Sequence, residues 1–291
     1  MTPPGATSDT SDESVLLTVE DGVGVVTLNR PARLNAMDTA MQHALPARLA
    51  EAADREDVRV IVLTGAGRGF CAGADLGVLT GLGEGDEVVM PGRDFLIART
   101  IAKPVIAAVN GPCAGIGMVF ALACDLRFST PEAKFGTGFA RRGLVAEQGL
   151  AWLLSKLVGA GAAMDLLLTS RVIDGSEAHG LGMVDQLHSE SALLPAALDY
   201  ARTLAAGSSA VSMGVIKWQL QKAQETTLWQ ALDDADEITK RSLAGRDFVE
   251  IGSTLTREAT PTYPPIPPGR LGDEPPLHLI PPTSSTARSP S

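Results

Sequence analysis

The feature that most constrains this chain occurs twice: a mostly apolar strand run empties into a glycine-rich loop, which opens onto a segment of helical pattern. Residues 58–64 lead into Thr64-Gly-Ala-Gly-Arg-Gly-Phe-Cys-Ala-Gly-Ala-Asp75, and residues 104–109 lead into Asn110-Gly-Pro-Cys-Ala-Gly-Ile-Gly117. Glycine lets backbone N–H groups come close to a ligand, and a helix start adds positive potential there. The same glycines also serve tight packing turns, and spacing alone leaves both roles open. Neither loop completes G-x-G-x-x-G with an acid at the right distance, and no G-x-x-x-x-G-K-[ST] occurs, so dinucleotide and P-loop readings are excluded.

Around these loops the chain reads as an αβ core followed by helices. Residues 15–19 and 23–28 are β-rich runs joined by Glu20-Asp21-Gly22, a hairpin signal. Residues 35–53 carry Met37, Met41, Leu45 and Leu49 at helical spacing, with Pro46 predicting a kink or a late start. A third strand is expected over 124–129. Residues 77–93 hold five glycines and several acids and read as a mobile lid. Helical periodicity dominates from 148 onward, interrupted by a short apolar run at 182–187. Ten of the 19 prolines follow Thr260, and a Pro/Ser/Thr-rich tail cannot bury enough apolar surface to fold alone. The expected organisation is a flexible N-terminus (1–13), an αβ core (14–190), a helical region (191–258) and a disordered tail (259–291).

Composition removes several classes of function. With 34 acidic and 24 basic residues the formal charge is −10, and no Lys/Arg cluster offsets it, so neither nucleic acid nor an anionic membrane is expected as a main partner. No basic-then-apolar leader opens the chain, and no run reaches the roughly 20 apolar residues of a membrane helix. The three cysteines (Cys71, Cys113, Cys124) lack C-x-x-C spacing, which speaks against a disulfide framework or zinc site and for a reducing cytoplasm. The four histidines share no metal-ligand spacing, so no metal is expected.

Nucleophile searches find little. No G-x-S-x-G elbow exists. Cys71 has no basic partner placed for it and reads as a small buried residue. One acid stands out: Glu147 lies in Gly143-Leu-Val-Ala-Glu-Gln-Gly149, flanked by apolar residues just before a helix. Partial desolvation would raise its pKa and suit it to proton transfer. A helix-start acid complementing the macrodipole is the other reading.

Taken together, the motifs resemble those of the enoyl-CoA hydratase/isomerase (crotonase) family. Leu28-Asn-Arg-Pro-Ala-Arg-Leu-Asn-Ala-Met37 resembles the segment that wraps the CoA adenine and phosphates. Gly69-Phe-Cys-Ala-Gly-Ala-Asp-Leu76 and Lys103-Pro-Val-Ile-Ala-Ala-Val-Asn-Gly111 resemble the two signature stretches, and residues 114–128 follow at the expected distance. The resemblance spans about 15–265. It implies an α/β fold, a spiral of ββα units with a C-terminal helical trimerisation region, in a homotrimer or hexamer. It also implies an acyl-CoA thioester substrate, with coenzyme A entering as part of the substrate and no other cofactor. Carried over residue by residue, the backbone donors to the thioester oxygen are Ala74 and Ile116. CoA and acyl contacts fall on Arg33, Leu34, Ala36, Ala72, Gly73, Asp75, Leu76 and Gly115, although Asp75 also reads as a loop-fixing acceptor.

Departures from the family pattern shape the expected chemistry. The two glutamates of the family's hydratases fall here on Val119 and Phe139, neither of which can move a proton. Glu147 lies eight residues beyond Phe139, where dienoyl-CoA isomerases of the family carry a second catalytic acid. The expectation is therefore isomerase-like proton transfer by Glu147 in acyl-CoA metabolism of the fatty-acid type. A true hydratase with atypical acid/base residues, a non-catalytic acyl-CoA-binding homologue and a crotonase-type hydrolase are the alternatives.

Overall fold

A computed structural model of the chain describes residues 14–75, 92–255, 262–267 and 269–280. The expected N-terminal flexibility, most of the lid segment, Leu76 and the end of the tail lie outside those residues. The architecture is α/β. Strands β1 (Val15–Glu20) and β2 (Val23–Leu28) form an antiparallel hairpin. Its turn places Asp21 and Gly22 at φ 51° and 78°, the two left-handed positions that a two-residue turn matched to strand twist requires. Helix α1 (Thr39–Asp54) is followed by β3 (Val60–Gly65), the short helix α2 (Ile97–Thr100) and β4 (Val105–Val109). Then come β5 (Cys113–Ala114), α3 (Ile116–Ala123), β6 (Leu126–Ser129), β7 (Lys134–Gly136) and α4 (Leu150–Thr169). The remainder is β8 (Val172–Asp174), α5 (Gly175–Gly180), β9 (Gln186–Leu187), α6 (Glu190–Gly207), α7 (Ala210–Lys222), α8 (Leu228–Leu243) and α9 (Arg246–Leu255).

The main sheet runs β1-β2-β3-β4-β6-β9, parallel from β2 onward, and a second sheet runs β5-β7-β8. Period-two alternation divides β3 and β4 between two cores. Ile61, Leu63, Val105, Ala107 and Val109 join Met41, Leu45 and Leu49 of α1 and the wholly buried α3. Val60, Val62, Ile106 and Ala108 face Leu193, Ala197, Ala201 and Ala205 of α6. Burial on both faces is why these strands read as continuous apolar runs.

α1 begins late, at Thr39, because the Asp38 side chain accepts from Met41 N at 2.8 Å and caps it. Pro46 is accommodated inside the helix. Two buried cations tie the layers together. Lys217 of α7 lies 2.7 Å from Asp125 Oδ2 and donates to Ala98 O. Arg127 of β6 donates to Met183 O, Cys124 O and Asp185 Oδ2.

Two expectations require correction. α4 is by length and composition apolar enough to cross a membrane, contrary to the sequence reading. It is not one continuous span, however, because Gly159 sits at φ 77°, ψ 162° inside it, and Lys156 and Asp165 are carried on it. The tail is also not wholly disordered. Ile266, Leu271, Leu279 and Ile280 are buried against Val211, Val215 and Trp218 of α7 and Ile238 of α8. Polar anchors reinforce this strap: Trp218 Nε1 donates to Gly272 O, Leu271 N to Thr100 O, and Arg270 pairs with Asp54 at 2.9 Å. Composition judged the tail as an isolated segment, whereas it borrows its core from helices already folded.

Leu279 is fully buried, so Leu279→Ala costs about 2–5 kcal/mol of stability, the usual range for a core leucine. Urea unfolding reads it, and a tail that does not pack would leave the midpoint unmoved.

Candidate active site

β3 and β4 are parallel neighbours, so the loops at 65–75 and 110–115 leave the same edge of the sheet, the edge where open α/β sheets bind ligands. The two loops are locked together by side-chain amides. Asn110 Nδ2 donates to Gly65 O at 2.9 Å and Gly67 O at 2.7 Å. Asn35, fully buried, donates to Ala66 O at 3.0 Å and Gly69 O at 2.7 Å and accepts from Arg30 N at 2.8 Å. Close backbone approach completes the lock. A Cβ on Gly111 would meet Arg68 O at 2.1 Å, and one on Gly117 would meet Cys71 O at 2.3 Å. Glycine is required at both by contact rather than by torsion.

This packing leaves two backbone donors without a backbone acceptor among the described residues, beside one cavity. Gly73 O accepts from Met37 N at 2.8 Å, and Asp75 N donates to Met37 O at 2.8 Å. In such a parallel bridge the intervening residue turns its own N–H away, so Ala74 N points off the Met37 strand. Ile116 opens α3, where the first N–H groups of a helix have no internal partner. Neither N–H donates to a backbone acceptor among the described residues. Both residues line one cavity of about 390 Å³, within the size range of small-molecule sites.

Glu147 lines that same cavity. Gln148 and Gly149 follow it at φ 52° and 74°, and α4 starts at Leu150. The carboxylate is half-buried and has no hydrogen-bond or ion-pair partner among the described residues, so desolvation raises its pKa from the ordinary carboxylate value. A carboxylate stabilised by the helix dipole would instead be held low. The direction of this shift is the one that burial gives an acid.

Of the residues singled out in the sequence, Arg33, Ala36, Ala72, Gly73, Ala74, Asp75, Gly115, Ile116 and Glu147 line the cavity. Leu34 does not; its carbonyl accepts from Ala72 N at 3.0 Å and backs the loop. Asp75 pairs with Arg30 at 3.1 Å, and Arg30 also pairs with Asp38 at 3.1 Å, which makes Asp75 a loop-fixing acceptor as well as a lining residue. Phe139 forms part of the wall, whereas Val119 is buried in the core of α3. Cys71 is buried and its thiol is pushed up to about 12, which removes it as a nucleophile. The sequence reading missed Ala114, Thr137, Gly138, Arg142 and Leu144 as lining residues. Four of these follow β7, a three-residue strand too short to show periodicity.

Comparison with known proteins places this site in context. Residues 18–251 match the family model described as Enoyl-CoA hydratase/isomerase. The 1,2-epoxyphenylacetyl-CoA isomerase of Escherichia coli is 36% identical over 261 residues, covering 86% of this chain and 98% of that protein. The structure of an enoyl-CoA hydratase from Polaromonas sp. JS666 matches with a TM-score of 0.80 at 29% identity, covering 86% of this chain and 99% of that one. An enoyl-CoA hydratase from Bacillus anthracis matches with a TM-score of 0.81 at 26% identity, with the same coverage.

The state of Glu147 has a consequence for stability. Its folded pKa lies above the unfolded value, so its contribution is most favourable at low pH and is lost as pH rises through the folded pKa. Glu147→Gln is therefore at least as stable as the parent at neutral pH, and the two converge on acidification below the ordinary carboxylate range. Urea unfolding across pH tests this; a variant less stable at neutral pH would mean that the carboxylate is held by contacts.

Proposed function

The chain belongs to the enoyl-CoA hydratase/isomerase, or crotonase, family and has its fold, and from that premise we propose that it moves a double bond within an acyl-CoA thioester. Support comes from one observation above the others: a desolvated carboxylate, Glu147, shares a cavity with two backbone N–H groups that have no backbone acceptor among the described residues. In this reading the N–H groups of Ala74 and Ile116 hold the thioester oxygen. Removing a proton alpha or gamma to the thioester places negative charge on that oxygen. Fixed donors stabilise the charge, each worth roughly 3 kcal/mol in the transition state. Glu147 takes the proton and returns it elsewhere along the enolate. Its raised pKa brings the acid and base forms closer in population near neutrality, which suits a group that must serve as both.

Hydration asks for more, because a water must be held and aimed as well as split. The positions where the family's hydratases carry their glutamates hold Val119 and Phe139, one outside the cavity and one an apolar wall. The E. coli relative is named an isomerase of an epoxyphenylacetyl-CoA, which is in keeping with isomerisation of a CoA thioester though not with a double bond in particular, and the hydratase names of the structural relatives keep hydration as the rival. Coenzyme A enters as part of the substrate in this scheme, and Glu147 and the two donors require no further cofactor.

The assembly proposed is a homotrimer or hexamer. Apolar side chains left exposed on α4 (Met164, Leu168) and α8 (Leu228, Trp229) support it, since surfaces of that kind favour burial against another copy. The three free, buried cysteines suit a reducing compartment, and we place the protein in the cytoplasm.

Glu147→Gln tests the assignment. With a trans-3-enoyl-CoA, kcat is expected to fall about a thousandfold, while calorimetric affinity for a saturated acyl-CoA stays within a factor of two or so, as for loss of a group that acts only in the transition state. Turnover at the parental rate would overturn the role of Glu147.

A further inference from the structure

Arg141 and Arg142 are adjacent in the sequence but face different surroundings. Arg141 Nε donates to Thr169 O at the end of α4 at 2.9 Å, whereas Arg142 lines the cavity that holds Glu147. The local backbone fixes Arg142 there. Arg142 N donates to Phe139 O at 2.8 Å, Leu144 N donates to the same carbonyl at 3.0 Å, and Gly143 turns at φ 70°. Its guanidinium is seated on Gly138, with Nη1 donating to Gly138 O at 2.9 Å. Gly138 has φ 68°, and a Cβ there would lie 2.2 Å from Arg142 Nη1, so the glycine both makes the turn and clears the seat.

The guanidinium is exposed at the cavity, so water rather than a carboxylate compensates its charge. It forms no ion pair among the described residues, and none links it to Glu147. The other carboxylate of the cavity, Asp75, is paired with Arg30. A purely apolar acyl group seated against Arg142 would strip water from a cation and give nothing back. An anion there would form a charge-assisted, fork-shaped contact. Two parts of an acyl-CoA carry anionic groups: the phosphates of CoA, or a carboxylate at the far end of the acyl chain. The placement favours the second, because Arg142 is carried by the stretch that supplies Phe139, Leu144 and Glu147. The segment that the family pattern gives to CoA brings its own cation, Arg33.

We infer that Arg142 is a specificity-determining residue that selects acyl-CoA thioesters bearing a distal carboxylate, through a bidentate guanidinium–carboxylate contact. This rests on the acyl-CoA reading of the site, and it deepens that reading by naming a substrate class.

The test uses two saturated thioesters of equal chain length, glutaryl-CoA and pentanoyl-CoA, which the proposed isomerisation cannot consume. Calorimetry on the parent is expected to show glutaryl-CoA bound at least tenfold more tightly. In Arg142→Gln that ratio falls to near one while pentanoyl-CoA affinity is unchanged, and Arg142→Lys recovers part of the preference. A ratio near one in the parent would overturn the inference. So would an equal weakening of both ligands in Arg142→Gln, which would assign the guanidinium to the CoA phosphates. Because the readout is binding, it stands apart from turnover: the inference holds if the preference appears without isomerase activity, and the activity can hold if the preference is missing.

Discussion

The interlock of two glycine loops at one edge of a parallel sheet is the constraint on which the rest of the structure depends. Asn35 and Asn110 clamp the first loop from both sides through carbonyls that would otherwise be left without partners. Gly111 and Gly117 let backbone meet backbone where any side chain would collide. Without that contact α3 could not start where it does, and Ala74 and Ile116 would not share a cavity. The interlock in turn needs β3 and β4 to be adjacent and in register, which the two cores on either side of the sheet enforce.

On this scaffold the proposed chemistry rests on one charge in a poor environment. Among the described residues Glu147 has no ion pair and no cap, and it is half-buried in a cavity that Phe139 and Leu144 also line. The fold holds the group in place through the turn at Gln148 and Gly149 and the helix behind it. A group whose charged form is disfavoured in the folded state lowers stability at neutral pH and is better suited to proton transfer for the same reason. Arg142 shows the complementary pattern, a fixed cation whose counter-charge is to be brought by the ligand.

Much of this was legible in the sequence, for identifiable reasons. The hairpin, β3, β4 and both glycine loops announce themselves because burial on two faces leaves uninterrupted apolar runs and turns demand glycine. Glu147 was visible as an acid among apolar neighbours. What the sequence concealed was set by tertiary contact. β5, β7 and β8 are two or three residues long and exist only as partners of one another, so the cavity wall at Thr137–Arg142 carried no local signal. The strap of Ile266, Leu271 and Leu279 gives little local signal because its apolar residues are few and its core lies on α7 and α8. The apolar length of α4 is masked because Gly159 divides it into two shorter helical patterns.

The central claim is that one carboxylate and two backbone donors move a proton without adding water. It is tested most directly by mass spectrometry of a short trans-2-enoyl-CoA and its trans-3 isomer after incubation with the protein in heavy water. The account predicts a shifted double bond, solvent deuterium on the acyl carbons and no added water. A product heavier by one water would contradict it, and would mean that the cavity aims a nucleophilic water as well as moving a proton.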